Sequence, residues 1–142
     1  MSLQGPIISV EDDEDDQYLI QSVIDELGIT NRLLFFNNGK AALDYLLVTE
    51  EQPFFIICDV NMPIMNGLEL HMHLISNEEL KKKSIPFIFF TTAANAKLID
   101  EAYQQMIQGF YRKGSSFIEL KEQIQTIYNY WKSCLHPSNL PT

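Results

Sequence analysis

An α/β fold, with one parallel sheet covered by helices on both faces, is predicted by three features of this 142-residue chain. Short apolar runs alternate five times with stretches whose apolar residues recur at helical spacing. The central run, Phe54 to Cys58, carries the aromatic and β-branched residues of a strand buried on both faces, as parallel strands are. All five runs lead directly into polar or charged residues, as strands do where they open onto a ligand crevice.

Taken in order, Ile7 to Val10 reads as the first strand and runs into the acids Glu11 to Asp16. Ile20, Val23, Ile24 and Leu27 then mark a helix that Gly28 caps. Leu33 to Phe36 is a second strand, Asn37-Asn38-Gly39 a turn, and Ala42, Tyr45 and Leu46 one face of a second helix. After the central strand, Pro63 and Gly67 break the regular structure, and a third helix starts near Asn66, marked by Leu68, His71, Met72 and Ile75. Lys81-Lys82-Lys83 reads as a solvated connection. Phe87 to Phe90 is a fourth strand ending in Thr91-Thr92, followed by a helix marked by Leu98, Ala102 and Met106. Gly109 to Arg112 is a fifth strand ending at Lys113, and Phe117, Leu120, Ile124, Ile127 and Trp131 mark the last helix, with Ser116 and Glu119 as its capping box.

Right-handed crossovers place such helices on both faces, giving a flavodoxin-like, doubly wound sheet of five parallel strands. One domain is expected over residues 5–135, with a short frayed tail at 136–142 and no output domain. Residues 1–3 are given no structural weight.

Composition narrows the function. A net charge of -9 argues against nonspecific nucleic-acid binding, which needs Lys and Arg to neutralise phosphates. The two cysteines form no disulfide framework and fit a reducing cytoplasm. No apolar run is long enough to span a membrane, so neither nucleic acid nor membrane is an expected partner.

The strand ends carry the chemistry. Glu11 and Asp12, Asp59, Thr91 and Lys113 end strands one, three, four and five, and in a parallel sheet these ends converge. Clustered carboxylates repel one another, and a hard divalent cation such as Mg²⁺ relieves that repulsion. Lys113 and Thr91 add a positive charge and a hydroxyl, which suit a phosphoryl group, and Asp59 is the nucleophile. Taken by itself the acidic run is an ordinary solvated face, so Asp13 to Asp16 are read as first-turn helix acids that complement the dipole and tune metal affinity at long range. An EF-hand fails at Gln17, where that loop needs glycine. His71 and His73, two apart on a helix, do not face each other and are read as surface or packing residues.

With these motifs in place, VEDD at 10–13, D-x-N-M-P-x-M-N-G at 59–67, Thr91 and Lys113, the chain resembles the receiver domains of two-component response regulators. The finer likeness is to single-domain receivers paired with phytochrome-type histidine kinases. The resemblance implies a phospho-accepting signalling switch rather than an enzyme, with Asp59 taking a phosphoryl group from a histidine kinase or phosphotransfer protein. It implies Glu11 and Asp12 as the acid pair holding Mg²⁺, with Asn61 lending a backbone carbonyl. It further implies Thr91 and Lys113 as ligands of the phosphoryl oxygens, Phe110 as the aromatic of a Thr/aromatic switch, and a homodimer through the fourth helix, fifth strand and fifth helix. Two other readings are weaker. A haloacid-dehalogenase-type phosphatase needs a general acid where Asn61 stands, and a flavin or nucleotide module needs a phosphate loop where the acids stand.

The chain departs from that pattern at three places. Gly114 follows Lys113 where the family usually has a cis-linked proline, so this bond is expected to be trans and the loop differently shaped, since a non-proline cis bond costs roughly 2.5 to 4 kcal/mol. Asn66 replaces the commoner Asp, with an effect confined to the helix cap. Thr92 stands where a smaller residue is usual and narrows access to the phosphoryl group.

Overall fold

Five parallel strands form one sheet in the order β2-β1-β3-β4-β5 in the computed structural model, which describes residues 2–136. The strands are β1 (Ile7–Val10), β2 (Leu33–Phe36), β3 (Phe55–Cys58), β4 (Phe87–Thr91) and β5 (Gly109–Arg112). The helices are α1 (Glu14–Glu26), α2 (Gly39–Val48), α3 (Gly67–Ser76), α4 (Glu78–Lys83), α5 (Ala96–Gln104) and α6 (Phe117–Ser133). The doubly wound flavodoxin-like fold is thus the one expected. The order reverses at β1, which pairs with β2 on one side and β3 on the other, and such a switch point opens a crevice at the carboxyl ends.

Side chains alternate across the strands and divide the core in two. Ile8, Val10, Ile56, Cys58, Phe87 and Phe89 face α2, α3 and α5. Ile7, Phe55, Ile57, Ile88 and Phe90 face α1 and α6. All but β2 and β5, the edge strands, are buried throughout, which is why the inner runs read as unbroken apolar segments. Leu3, given no weight in the sequence, packs against the second of these clusters.

Several local expectations change. The Lys81-Lys82-Lys83 connection is the last turn of α4, capped by Asn77 and anchored by buried Leu80, with glutamates in its first turn and lysines in its last to complement the helix dipole. The buried face of α3 is Gly67, Leu70, His71 and Leu74, while Met72 and Ile75 are exposed. Met106 lies beyond α5, exposed and at a positive φ of 63°. The α6 cap is half a capping box: Ser116 accepts the Glu119 N–H, but the Glu119 carboxylate takes the Ser115 N–H. Around Asn66 a complete capping box forms with Glu69.

His71 is a packing histidine, buried, with its ring against Phe87 and Nδ1 3.0 Å from Gln105 Oε1. His73 is exposed. Both cysteines are free. Among the described residues no helix is long and apolar enough to cross a membrane. Residues 137–142 of the expected tail lie outside the described residues.

Candidate functional site at the strand ends

The loops that follow β1, β3 and β5 carry the candidate residues, and each is fixed by hydrogen bonds to its backbone. After β1, Asp13 caps α1 by accepting the N–H groups of Asp15 and Asp16, and Gln17 reaches back to the Glu11 carbonyl at 2.6 Å and to Asn37 at 3.1 Å. The residue that rules out an EF-hand therefore braces the acidic loop against the β2–α2 turn. After β3, Gly67 N–H closes the loop on the Val60 carbonyl, and Gly39 N–H holds the loop's far side at the Met65 carbonyl. Ile64 sits in this loop with a positive φ of 69° and its side chain exposed, an unfavourable conformation for a β-branched residue.

Asp59 emerges from β3 with its side chain 13% exposed. Its Oδ1 accepts the Val60 N–H at 2.7 Å, which leaves Oδ2 turned toward the Lys113 ammonium 3.8 Å away. Glu11 is buried, with Oε1 2.8 Å from Lys113 Nζ. Asp12 is exposed at the rim. One carboxylate oxygen from each of Glu11, Asp12 and Asp59 lies within 4.8 Å of the others, a spacing that a divalent cation could span. Glu11 Oε2 is buried and has no hydrogen-bond partner among the described residues, and that orphaned acceptor is what a cation would satisfy. The acid set therefore fits a hard metal ion.

The ionisation of this cluster follows from its charges. Burial raises Glu11, the neighbouring carboxyls of Asp59 and Asp16 raise it further, and Lys113 only partly opposes them, so its pKa is pushed up to about 9. Burial acts to lower Lys113, but its pairing with Glu11 and Asp16 outweighs that and keeps the ammonium charged. One ammonium cannot balance every acid around it, and the surplus is relieved by a proton that rests mainly on Glu11.

With Gly114 after it, Lys113 still reaches the acids, its Nζ 3.8 Å from Asp59 Oδ2. Among the described residues every peptide bond is trans. The Lys113 N–H donates to the Thr91 carbonyl, and Gln123 brackets the residue, accepting the Gly114 N–H at 2.9 Å and donating to the Arg112 carbonyl at 2.7 Å. A Cβ at Gly114 would come within 2.7 Å of Glu119 Cβ and 3.0 Å of the Leu120 nitrogen, so glycine lets this loop lie directly on α6. Sequence reading missed Gln123, since a glutamine ten residues from the lysine carries no pattern.

Of the other expected residues, Thr91 is buried at the end of β4, its Oγ1 accepting the Ala93 N–H, and Thr92 is exposed. Asn61 is exposed in the β3–α3 loop. Phe110 is half-buried on β5, its ring centroid 5.7 Å from that of Phe89. Asp16, read as a helix acid acting on the site only at long range, instead joins it directly at 3.1 Å from Lys113 Nζ.

The sequence profile of the response regulator receiver domain matches residues 7–125. A probable methanogenesis regulatory protein of Methanothrix harundinacea, FilR2, is 31% identical, the alignment covering 88% of this chain and 82% of that protein. The Mn²⁺-bound structure of response regulator Rcp1 is 26% identical, with a TM-score of 0.79 over 98% of this chain and 99% of that one. The phosphorylated cyanobacterial phytochrome response regulator RcpA shares the fold, with a TM-score of 0.82, 24% identity and coverage of 92% and 94%. The chain belongs to the response regulator receiver domains of two-component signalling.

Proposed function

We propose that this receiver is a phospho-accepting switch in which Asp59 takes a phosphoryl group from a histidine kinase or phosphotransfer protein. The observation that carries the reading is Asp59 Oδ2, free of the backbone and facing Lys113 Nζ beside two further acids. In the transfer the donor's P–N bond breaks as the Asp59 Oδ2–P bond forms, and the imidazole leaves. Lys113 then neutralises charge on the phosphoryl oxygens, and the Thr91 hydroxyl supplies a hydrogen bond. Glu11, Asp12 and Asp59, with the Asn61 backbone carbonyl, would hold Mg²⁺, which when bound offsets the charge of both acids and phosphoryl oxygens. The likeness to RcpA and Rcp1 supports the narrower reading, a partner kinase of the phytochrome type.

Reductive trapping tests the assignment. Borohydride converts an acyl phosphate to homoserine, so peptide mapping after exposure to phosphoramidate and Mg²⁺ should find homoserine at position 59. Phosphate found on a hydroxyl or imidazole, with position 59 unchanged, contradicts it.

Output runs through protein contact or onward transfer. A groove of about 520 Å³ runs along α5, β5 and α6, lined by Tyr103, Phe110, Tyr130 and Trp131 among others, with Tyr103 and Tyr130 exposed. Movement of Thr91 toward a phosphoryl oxygen lets Phe110 turn and alters this face. Beryllofluoride should therefore strengthen homodimer formation in light scattering, and Thr91→Ala should bind it yet lose much of that response. An assembly state indifferent to beryllofluoride removes this route.

A further inference from the structure

Lys113 has three carboxylates to choose from, and its ammonium does not sit closest to Asp59. Nζ lies 2.8 Å from Glu11, 3.1 Å from Asp16 and 3.8 Å from Asp59. The lysine side chain is 7% exposed, and its backbone is pinned on both sides by Thr91 and Gln123, so its reach is limited. Asp16 is equally fixed: it lies in the first turn of α1, its N–H held by the Asp13 cap at 3.1 Å, and the next residue, Gln17, ties that turn to the β1 loop. Its Oδ2 lies 3.1 Å from the ammonium on a side chain that is 30% exposed. Asp16 stands outside the three-carboxylate set that could hold a cation.

We propose that Asp16 is a positioning residue that draws the Lys113 ammonium away from Asp59 and so restrains phosphoryl acceptance. The proposal rests on the reading of Asp59 as phosphoacceptor. With phosphoramidate as donor, the P–N bond breaks, ammonia leaves, and the Asp59 Oδ2–P bond forms. Lys113 can follow the incoming phosphoryl oxygens only by loosening its contacts with Glu11 at 2.8 Å and Asp16 at 3.1 Å, and Asp16 is the one of the two that lies outside the candidate cation set. Removing that charge frees the ammonium while leaving the Glu11 hydrogen bond and the Gln123 bracket in place.

The test is the time course of phosphoramidate labelling at saturating Mg²⁺, followed by intact mass, in wild type, Asp16→Asn, Asp16→Glu and Asp15→Asn. Asp16→Asn should label about two- to fivefold faster, the range expected for a partly exposed ion pair. Asp16→Glu should return the rate to that of wild type. Asp15→Asn removes the same charge from an exposed neighbour, where salt screens it, and should leave the rate unchanged. In the metal-free protein, the Lys113 Nζ NMR signal should shift in Asp16→Asn and not in Asp15→Asn. If wild type takes no phosphoryl group, the reading of Asp59 fails and this proposal with it. If wild type is labelled but Asp16→Asn is no faster, or Asp15→Asn is equally fast, the positioning role alone is overturned.

Discussion

Gly67→Ala is expected to lower stability by about 3 kcal/mol in urea unfolding and to slow phosphorylation at the same time. An added Cβ would overlap the Asp59 carbonyl oxygen and lie 2.7 Å from Phe89 Cε1 and 3.2 Å from Cys58 Sγ. The first neighbour is backbone, the second belongs to a fully buried ring, and neither can swing aside. Overpacking of this kind typically costs roughly 1 to 3 kcal/mol, and the upper end applies where the obstacles are rigid. The strain falls on the β3–α3 loop that aims Asp59, since the Gly67 N–H closes that loop on the Val60 carbonyl. A variant as stable as wild type would mean that the loop is looser than its hydrogen bonds indicate.

Mg²⁺ affinity is expected to rise steeply with pH, by up to about tenfold per unit below pH 9. The folded protein keeps a proton mainly on Glu11, whose pKa is pushed from 4.5 to about 9, and a cation needs that carboxylate charged. The sign for stability runs the other way. The metal-free protein binds more protons folded than unfolded between those two values, so this group's contribution to stability is full below about 4.5 and lost as pH rises toward 9. Mg²⁺ should therefore raise the melting temperature more at pH 8.5 than at pH 6.5. Calorimetry in two buffers of different ionisation enthalpy should show close to one proton released per ion bound at neutral pH. An affinity independent of pH would place the proton elsewhere or the ion away from Glu11.

The sheet was legible because its inner strands are buried on both faces, and burial writes itself as unbroken apolar runs. Strands β2 and β5 were legible from their flanks, the Asn37-Asn38-Gly39 turn and Lys113. Helix α4 was not, because six residues with one buried leucine are too short to show a period, and three lysines in a row look like solvated chain. The displaced stripe on α3 has a different origin: of the residues read as its face only His71 is buried, while Met72 and Ile75 are apolar but exposed and the buried Leu70 and Leu74 lie just before them.

Most of the site was legible for a different reason. Parallel topology brings strand ends together whatever the loops do, so Glu11, Asp12, Asp59, Thr91 and Lys113 could be grouped by their places alone. Asp16 and Gln123 could not, since each acts through a side chain projected from a helix turn, Asp16 onto the Lys113 ammonium and Gln123 onto the backbone of Arg112 and Gly114 on either side of it. Among the four acids that follow Glu11 and Asp12, nothing in the sequence distinguishes the one that reaches Lys113. The consequence of Gly114 was likewise hidden, because it depends on the close approach of the loop to α6 and on the Gln123 bracket.

Asp59 as the single phosphoacceptor is tested most directly by intact mass after incubation with acetyl phosphate or phosphoramidate and Mg²⁺, run in parallel on wild type and Asp59→Asn. Wild type should gain one phosphoryl group, dependent on Mg²⁺, and Asp59→Asn should gain none while keeping the wild-type fold by circular dichroism. The same mass gain in both proteins would contradict the account.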